Sequence, residues 1–362
     1  MGFKCKLLFL ILVISYSVIL TECCRGLEDV TLTIKDKTGI WSNLTVSACI
    51  ERKILNGLTA TEIYVKNQYL PTLGKDFVRH LVKLHTLKFQ NCSIKSILPG
   101  AFRNLPSIWL VEISHNPKLT LIQGGIFDIF DTIHILRLNN NNINTITDEA
   151  LSNMTLTEVD FSYNNFSEFN PVWFAYSPRI RQLNFRNNRI TKIPKTAFED
   201  MMELETIEFQ NNKIYYIGSG AFRRLKSLKL LNLSNNRLKS IGENVFPGKL
   251  TVETLNIAGN YLHDIPTELL EKLIISEIYL DYNYFFCSCY NTFMRYFAEN
   301  DIKVRKEANC YSNYLPVCLV SGTACQEPPP NTPESRKIEE LSEKLKTAYR
   351  LSRDNDKDFK CT

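Results

Sequence analysis

The sequence predicts an α/β solenoid of about ten short repeats whose strands line up in one concave parallel sheet. Two observations carry this. An apolar pattern closed by a turn residue recurs ten times, with that residue at Gln68, Cys92, Asn116, Asn141, Asn164, Asn188, Asn212, Asn236, Asn260 and Asn283, a spacing of 23 to 25 residues. A second apolar set follows at matching offsets, as in "ILPGAFRNL", "IPKTAFEDM" and "IGSGAFRRL". Self-similarity at such a period means stacked units that bury their apolar faces only against their neighbours.

Residues 1–23 set the compartment. Lys4 and Lys6 precede the apolar run Leu7 to Leu20, which is short for a bilayer span and is followed by polar residues and Cys23. A cleaved signal peptide fits better than an uncleaved anchor. No second apolar run of spanning length follows, so the mature product is expected to be secreted, extracellular and without a membrane span. Without residues 1–23 the chain keeps 41 basic and 37 acidic residues, a net +4 too evenly spread to argue for nucleic acid. Asn43, Asn91, Asn153, Asn165 and Asn232 each head an Asn-x-Ser/Thr acceptor triplet and are candidate glycosylation sites. Residues 24–57 read as an N-terminal cap, with Cys24 and Cys49 flanking a Val-, Thr- and Ile-rich stretch as a closing disulfide would.

The repeats run from 58 to 285. In "LLNLSNNRL" the triplet Leu231-Asn232-Leu233 has the alternation of a strand with one buried face. The Asn that follows suits a turn, because its amide both donates to and accepts from backbone groups left without strand partners. Stacked repeats should line these amides into a ladder. Cys92 takes one ladder slot and reads as a buried structural thiol rather than a reactive one. Phe102, Phe127, Phe198, Phe222 and Phe246 recur in the return half and should stack in the core. Trp173-Phe174 interrupts that column and suggests a local bulge on the convex side.

The pattern L-x-x-L-x-L-x-x-N-x-L over 58–285 resembles the leucine-rich repeat. "FFCSCYNTFMRYFAEN", with the spaced cysteines after it, is similar to the C-terminal cap of secreted members, which implies disulfides among Cys287, Cys289, Cys310 and Cys325 across residues 286–325. Zinc is the rival for such cysteines, but an oxidising secretory route makes disulfides the default. Cys318 and Cys361 are left over, either joined to each other or with one reaching a second chain as a disulfide-linked dimer. Residues 326–337 read as a Pro-rich linker. In 338–362, Ile338, Leu341, Leu345 and Ala348 repeat at alternating intervals of three and four, either a short pairing helix or a frayed tail.

For function, His80, His85, His115, His134 and His263 fall at unrelated repeat positions, and no nucleophile, base and orienting group recur together. This speaks against an enzyme and against any cofactor or metal. The outward strand positions are therefore the candidate binding surface. Lys88, Glu112, Arg137 and Asp160 alternate in sign, which fits a solvated cross-strand ion-pair ladder as well as a binding stripe. Arg186, Tyr279, Asp281 and Tyr282 continue the face, with Tyr284 adding aromatic surface toward the cap. Signal peptide, solenoid, cysteine-rich cap and brief heptad tail together resemble the secreted leucine-rich-repeat immune proteins of mosquitoes, whose coiled coil is longer. That resemblance implies innate immunity and disulfide-linked complexes with complement-like factors. A matrix, adhesion or receptor-modulating protein is the alternative, and a protein ligand on the repeat surface is common to both.

Overall fold

The computed structural model describes residues 29–127 and 132–305, together with 332, 333, 335, 336, 340 and 344. The expected signal peptide, Cys24, Cys310, Cys318, Cys325, Cys361 and most of the linker lie outside the described residues. The chain divides into two compact units, Met1–Phe166 with Pro171–Ile180, and Ser167–Asn170 with Arg181–Thr362.

The first unit opens with a hairpin of β1 (Val30–Asp36) and β2 (Trp41–Val46). Its turn closes on the Asp36 carboxylate, which accepts from the Thr38 backbone N–H (2.8 Å), the Thr38 hydroxyl (2.6 Å) and the Ile40 N–H (3.1 Å). Gly39 supplies the positive φ (87°) that the turn requires. β1 then pairs antiparallel with β3 (Ala60–Lys66), and β4 (Thr86–Gln90), β5 (Leu110–Ser114), β6 (Ile135–Arg137) and β7 (Glu158–Asp160) add in parallel. The second unit stacks β8 (Gln182–Asn184), β9 (Thr206–Glu208), β10 (Ser227–Asn232), β11 (Leu250–Asn256), β12 (Leu273–Tyr279) and β13 (Lys303–Arg305), all parallel and in sequence order.

The turn-side return is not helical, which narrows the α/β expectation to a large parallel sheet with few helices. Two-residue parallel bridges such as Thr72–Leu73 with Ser96–Ile97, and short 3-10 turns, carry the chain back. A repeat of about 24 residues leaves too little chain for a helix once a strand and two turns are made. The returns also hold residues in the left-handed region, among them Asn104, Glu149, Tyr176 and Thr196. Gly218 marks the closest approach there, since a Cβ would sit 2.5 Å from the Lys195 backbone nitrogen. Beyond the single turn Thr267–Leu270, the one longer helix within residues 132–305 is α1 (Cys287–Glu299), whose Cys289, Phe293 and Phe297 are buried at four-residue intervals.

The ladder forms as its residue types dictate. Asn212 donates from Nδ2 to the Phe185 and Phe209 carbonyls (2.9 and 3.0 Å) and accepts the Ile190 N–H on Oδ1 (2.9 Å); Asn236 and Asn260 repeat the pattern. Asn116, Asn141 and Asn164 build the same ladder in the first unit. At slot 92 the thiol supplies only the donor half, reaching the Val65 carbonyl at 3.3 Å. The acceptor half passes to the backbone, where the Cys92 carbonyl takes the Leu70 N–H (2.8 Å).

Behind the ladder lies a phenylalanine core. Phe102 and Phe127 stack at 6.2 Å in the first unit; Phe198, Phe222 and Phe246 follow one another at 5.3 and 4.8 Å in the second, with Phe169 beside Phe198 at 5.6 Å. The bulge expected at Trp173-Phe174 is instead a 3-10 turn, Pro171–Phe174, that drives both rings inward. Trp173 packs on Phe166 and Phe174 on Phe161, so the pair fills the core space that Ala-Phe fills elsewhere. At the far end, helical conformation is present at Pro333, where Thr332 Oγ1 accepts the Ser335 N–H at 3.2 Å as an N-cap. Residues 335, 336, 340 and 344 are helical as well.

Candidate functional site

Strand register fixes which side chains share the open face. In the first unit Tyr64, Lys88, Glu112, Arg137 and Asp160 stand opposite one another on successive strands, with Lys66, Gln90 and Ser114 in the next column. The antiparallel hairpin adds what the repeat pattern does not foretell. It places Trp41 opposite Lys35 and carries the indole to 5.0 Å from the Tyr64 ring, leaving Trp41 45% exposed. Lys88 Nζ and Lys66 Nζ lie 4.9 and 5.3 Å from the centre of Tyr64, and Lys35 Nζ lies 5.6 Å from that of Trp41. Each is a cation–π contact.

Carboxylates hold this platform in place. Glu62 pairs with Lys35 (2.8 Å) and accepts from the Tyr64 hydroxyl (2.6 Å). Burial, reinforced by that carboxylate, pushes the Tyr64 phenol up to about 12. Glu112, almost fully buried, is held by Gln90, Ser114 and Lys88. Burial opposes its charge, but these three partners together keep the carboxyl below its ordinary range.

The expected charge ladder is only partly made. Lys88 does pair with Glu112 (3.4 Å), but Arg137 turns to Glu158 (2.7 Å). Asp160 instead accepts the Ser162 N–H (2.8 Å) and ends its own strand. In the second unit Asn184, Glu208, Asn232, Asn256 and Tyr279 share a column. Asn184, Asn232 and Asn256 each accept the N–H two residues on, from Arg186, Ser234 and Ala258, at 3.0 to 3.1 Å. These outward asparagines are strand terminators, so the Asn232 acceptor triplet arises from what the repeat needs at a strand end. Arg186 lies 4.0 Å from Glu208. Toward the cap, Tyr279 and Tyr282 remain partly exposed, whereas Asp281 and Tyr284 are buried and offer no aromatic or acidic surface.

Of the acceptor asparagines, Asn43, Asn91 and Asn153 are exposed, and Asn165 and Asn232 are partly so. Cys49, Cys287 and Cys289 are disulfide-bonded. The histidines stay apart in role: His80 meets the Asn104 amide at 2.9 Å, His134 stacks under Trp109 at 3.7 Å, and His263 packs on Phe286. Among the described residues no group of His, Cys, Asp and Glu is arranged to hold a metal ion, and no helix is long and apolar enough to cross a membrane.

Comparison with known proteins agrees with this architecture. A family described as "Leucine rich repeat" matches residues 131–190, 178–238 and 227–285, and a second of that description matches 83–105. Receptor-like protein 9b of Arabidopsis thaliana is 25% identical over 122 residues, 33% of this chain and 13% of that protein. Human "Leucine-rich repeats and immunoglobulin-like domains protein 1" is 28% identical over 114 residues, 30% of this chain and 10% of that protein. The chain thus matches only about a tenth of these relatives' length. Among solved structures, a chain of the Drosophila Toll–Spatzle complex superimposes with a TM-score of 0.57 at 19% identity, covering 66% of this chain and 33% of that one. A chain of the mouse RP105/MD-1 complex gives 0.57 at 23%, covering 67% and 42%. At these identities the likeness shows the fold alone.

Proposed function

We propose that the chain, whose repeats match leucine-rich-repeat models over residues 83–105 and 131–285, is an extracellular, non-enzymatic recognition protein that takes a protein partner on the open face of its first unit. The observation that carries this is the Trp41–Tyr64 platform. Two adjacent aromatic rings, one of them nearly half exposed, are pinned by three lysines and two carboxylates on paired strands. Such a surface is ordered before a partner arrives, and aromatic residues beside charged groups are what interface centres use.

The finer reading is of a secreted glycoprotein with disulfide-closed caps, acting in innate immunity. The N-terminal apolar run, the acceptor triplets and the half-cystines at 49, 287 and 289 support secretion. The fold shared with Toll and RP105, both solved with a protein partner, supports partner binding, and the Toll–Spatzle complex is described as a hub in Drosophila development and innate immunity. The resemblance to the mosquito proteins points the same way. Pairing through Cys361 would make a disulfide-linked dimer, lost in Cys361→Ser on non-reducing electrophoresis.

The test is capture of a partner from the source animal's body fluid by the tagged full chain. Wild type should retain a partner that Trp41→Ala with Tyr64→Ala loses. Retention by that double variant, with loss on Glu208→Ala and Asn256→Ala, would put the surface in the second unit and overturn this placement.

A further inference from the structure

One residue past the ladder Asn, each repeat presents a side chain on the flank where the strand turns back. In the second unit three consecutive repeats place Arg189, Lys213 and Arg237 there, all exposed. The backbone locks them one above another. The Lys213 N–H donates to the Ile190 carbonyl (2.9 Å), and the Arg237 N–H to that of Ile214 (2.8 Å). The ladder amides of Asn212 and Asn236 tie the same turns. Rungs about 4.8 Å apart put three cations along roughly 10 Å.

The neighbouring columns widen this stripe. Two residues further on stand Thr191, Tyr215 and Lys239, and next to them Lys192, Tyr216 and Ser240. Tyr215 and Tyr216 are about half exposed, and Lys192 Nζ lies 5.4 Å from the Tyr215 ring. The outer column is bounded by Glu168 before Lys192 and by Asp264 after Ser240.

Among the described residues, none of Arg189, Lys192, Lys213, Arg237 or Lys239 forms an ion pair. The same unit's opposite flank pairs its cations, Arg181 with Glu203 (3.0 Å) and Lys229 with Glu205 (2.6 Å). Like charges stacked on adjacent rungs without carboxylates between them raise the energy of the folded state, and an anion laid along them relieves it. The chain's small net charge of +5 conceals this local concentration.

We propose that the Arg189–Lys213–Arg237 stripe, with Tyr215 and Tyr216, is a binding site for an extended sulfated polysaccharide, separate from the open face of the sheet. Three features favour that occupant over an acidic peptide. Guanidinium forks match the oxygens of a sulfate in pairs. Cations repeated along a rigid line suit a polyanion whose charges also repeat. The exposed tyrosine rings beside Lys192 offer flat faces to sugar C–H surfaces.

The experiment uses the full chain on immobilised heparin across a salt series. Replacing Arg189, Lys213 and Arg237 together by Gln should weaken binding about tenfold or more, because three charge-assisted contacts go. Arg223→Gln, Lys226→Gln and Lys249→Gln remove the same charge from exposed positions elsewhere in the unit and should change binding little. Tyr215→Ala with Tyr216→Ala should weaken binding while leaving its salt dependence unchanged. Equal losses in the two charge triples would reduce the effect to net charge and overturn the site. No loss in the tyrosine variant, or competition by poly-glutamate or desulfated heparin as strong as by heparin, would overturn the polysaccharide. Capture of a protein partner through Trp41 and Tyr64 should persist in the stripe triple, so this proposal and the open-face reading fail independently.

Discussion

Replacing Asn212 by Ala should cost several times more stability than replacing Asn232 by Ala, although both are asparagines in the same kind of repeat. Asn212 is buried, and its amide bonds the carbonyls of Phe185 and Phe209 and the N–H of Ile190, with a longer contact to the Gln210 carbonyl (3.4 Å). Alanine strands the Ile190 N–H in a dry turn and takes one of two donors from each carbonyl, since Phe185 keeps Asn188 and Phe209 keeps Asn236. At about 1–3 kcal/mol for the stranded N–H and about 0.5–1.5 kcal/mol for each bond lost to a carbonyl that keeps another donor, less some relaxation, the loss is about 2–5 kcal/mol. Asn232 serves one group, the Ser234 N–H at 3.0 Å, and is partly exposed, so its loss is about 0.5–1.5 kcal/mol. With an m-value of about 2 kcal/mol/M, the urea midpoint should fall by about 1 M or more for Asn212→Ala and by well under 1 M for Asn232→Ala. Asn212→Cys should lie between Ala and wild type, because a thiol keeps a donor as Cys92 does toward Val65. Far-UV circular dichroism during urea titration gives the midpoints. If Asn212→Ala shifts the midpoint no more than Asn232→Ala, the ladder is not what holds the turns.

Three further outcomes follow from particular contacts. Ile207 and Leu231 are fully buried, so Asp at either should leave an unpaired charge in the stack and abolish the secreted yield on immunoblot; normal yield from both would break the assigned register. Burial pushes the Cys92 thiol up to about 11, so native protein at pH 8 should resist iodoacetamide at this residue and react only after denaturation, read by peptide mass spectrometry. Glu112 has a depressed folded pKa, so its stabilising contribution is present above the ordinary carboxyl pKa and is lost as pH falls through the folded value. Glu112→Gln should therefore flatten the decline of thermal stability below about pH 4.5; an unchanged acid limb would mean that its contacts with Lys88, Gln90 and Ser114 do not matter in solution.

Much of the fold is legible in the sequence because its determinants are local and repeated. Alternation in Leu231-Asn232-Leu233 fixes which face is buried, and the Asn at each turn fixes how the turn is satisfied, without reference to distant residues. The phenylalanine column follows from one offset applied repeatedly. Return segments are less legible, since Trp173-Phe174 can be read as a bulge until a 3-10 turn shows both rings facing the core.

The candidate surface is different, because it depends on which of several nearby partners a side chain chooses. Arg137 has Glu112 and Asp160 opposite it when the repeats are aligned, yet it bonds Glu158 on the diagonal, since Glu112 is held by Lys88, Gln90 and Ser114 and Asp160 by its own backbone. Trp41 meets Tyr64 only because an antiparallel hairpin outside the repeat pattern caps the first strand. Tyr284 looks like surface in the sequence and is core in the fold, stacked on Tyr261 at 5.7 Å. Arg189, Lys213 and Arg237 are visibly in step along the chain, but only the tertiary structure shows that no described carboxylate pairs with them. Periodicity is a property of the backbone and is written into each repeat. Pairing among charges and rings is a competition over a few ångströms between residues more than twenty positions apart, and it is settled only once the strands are side by side.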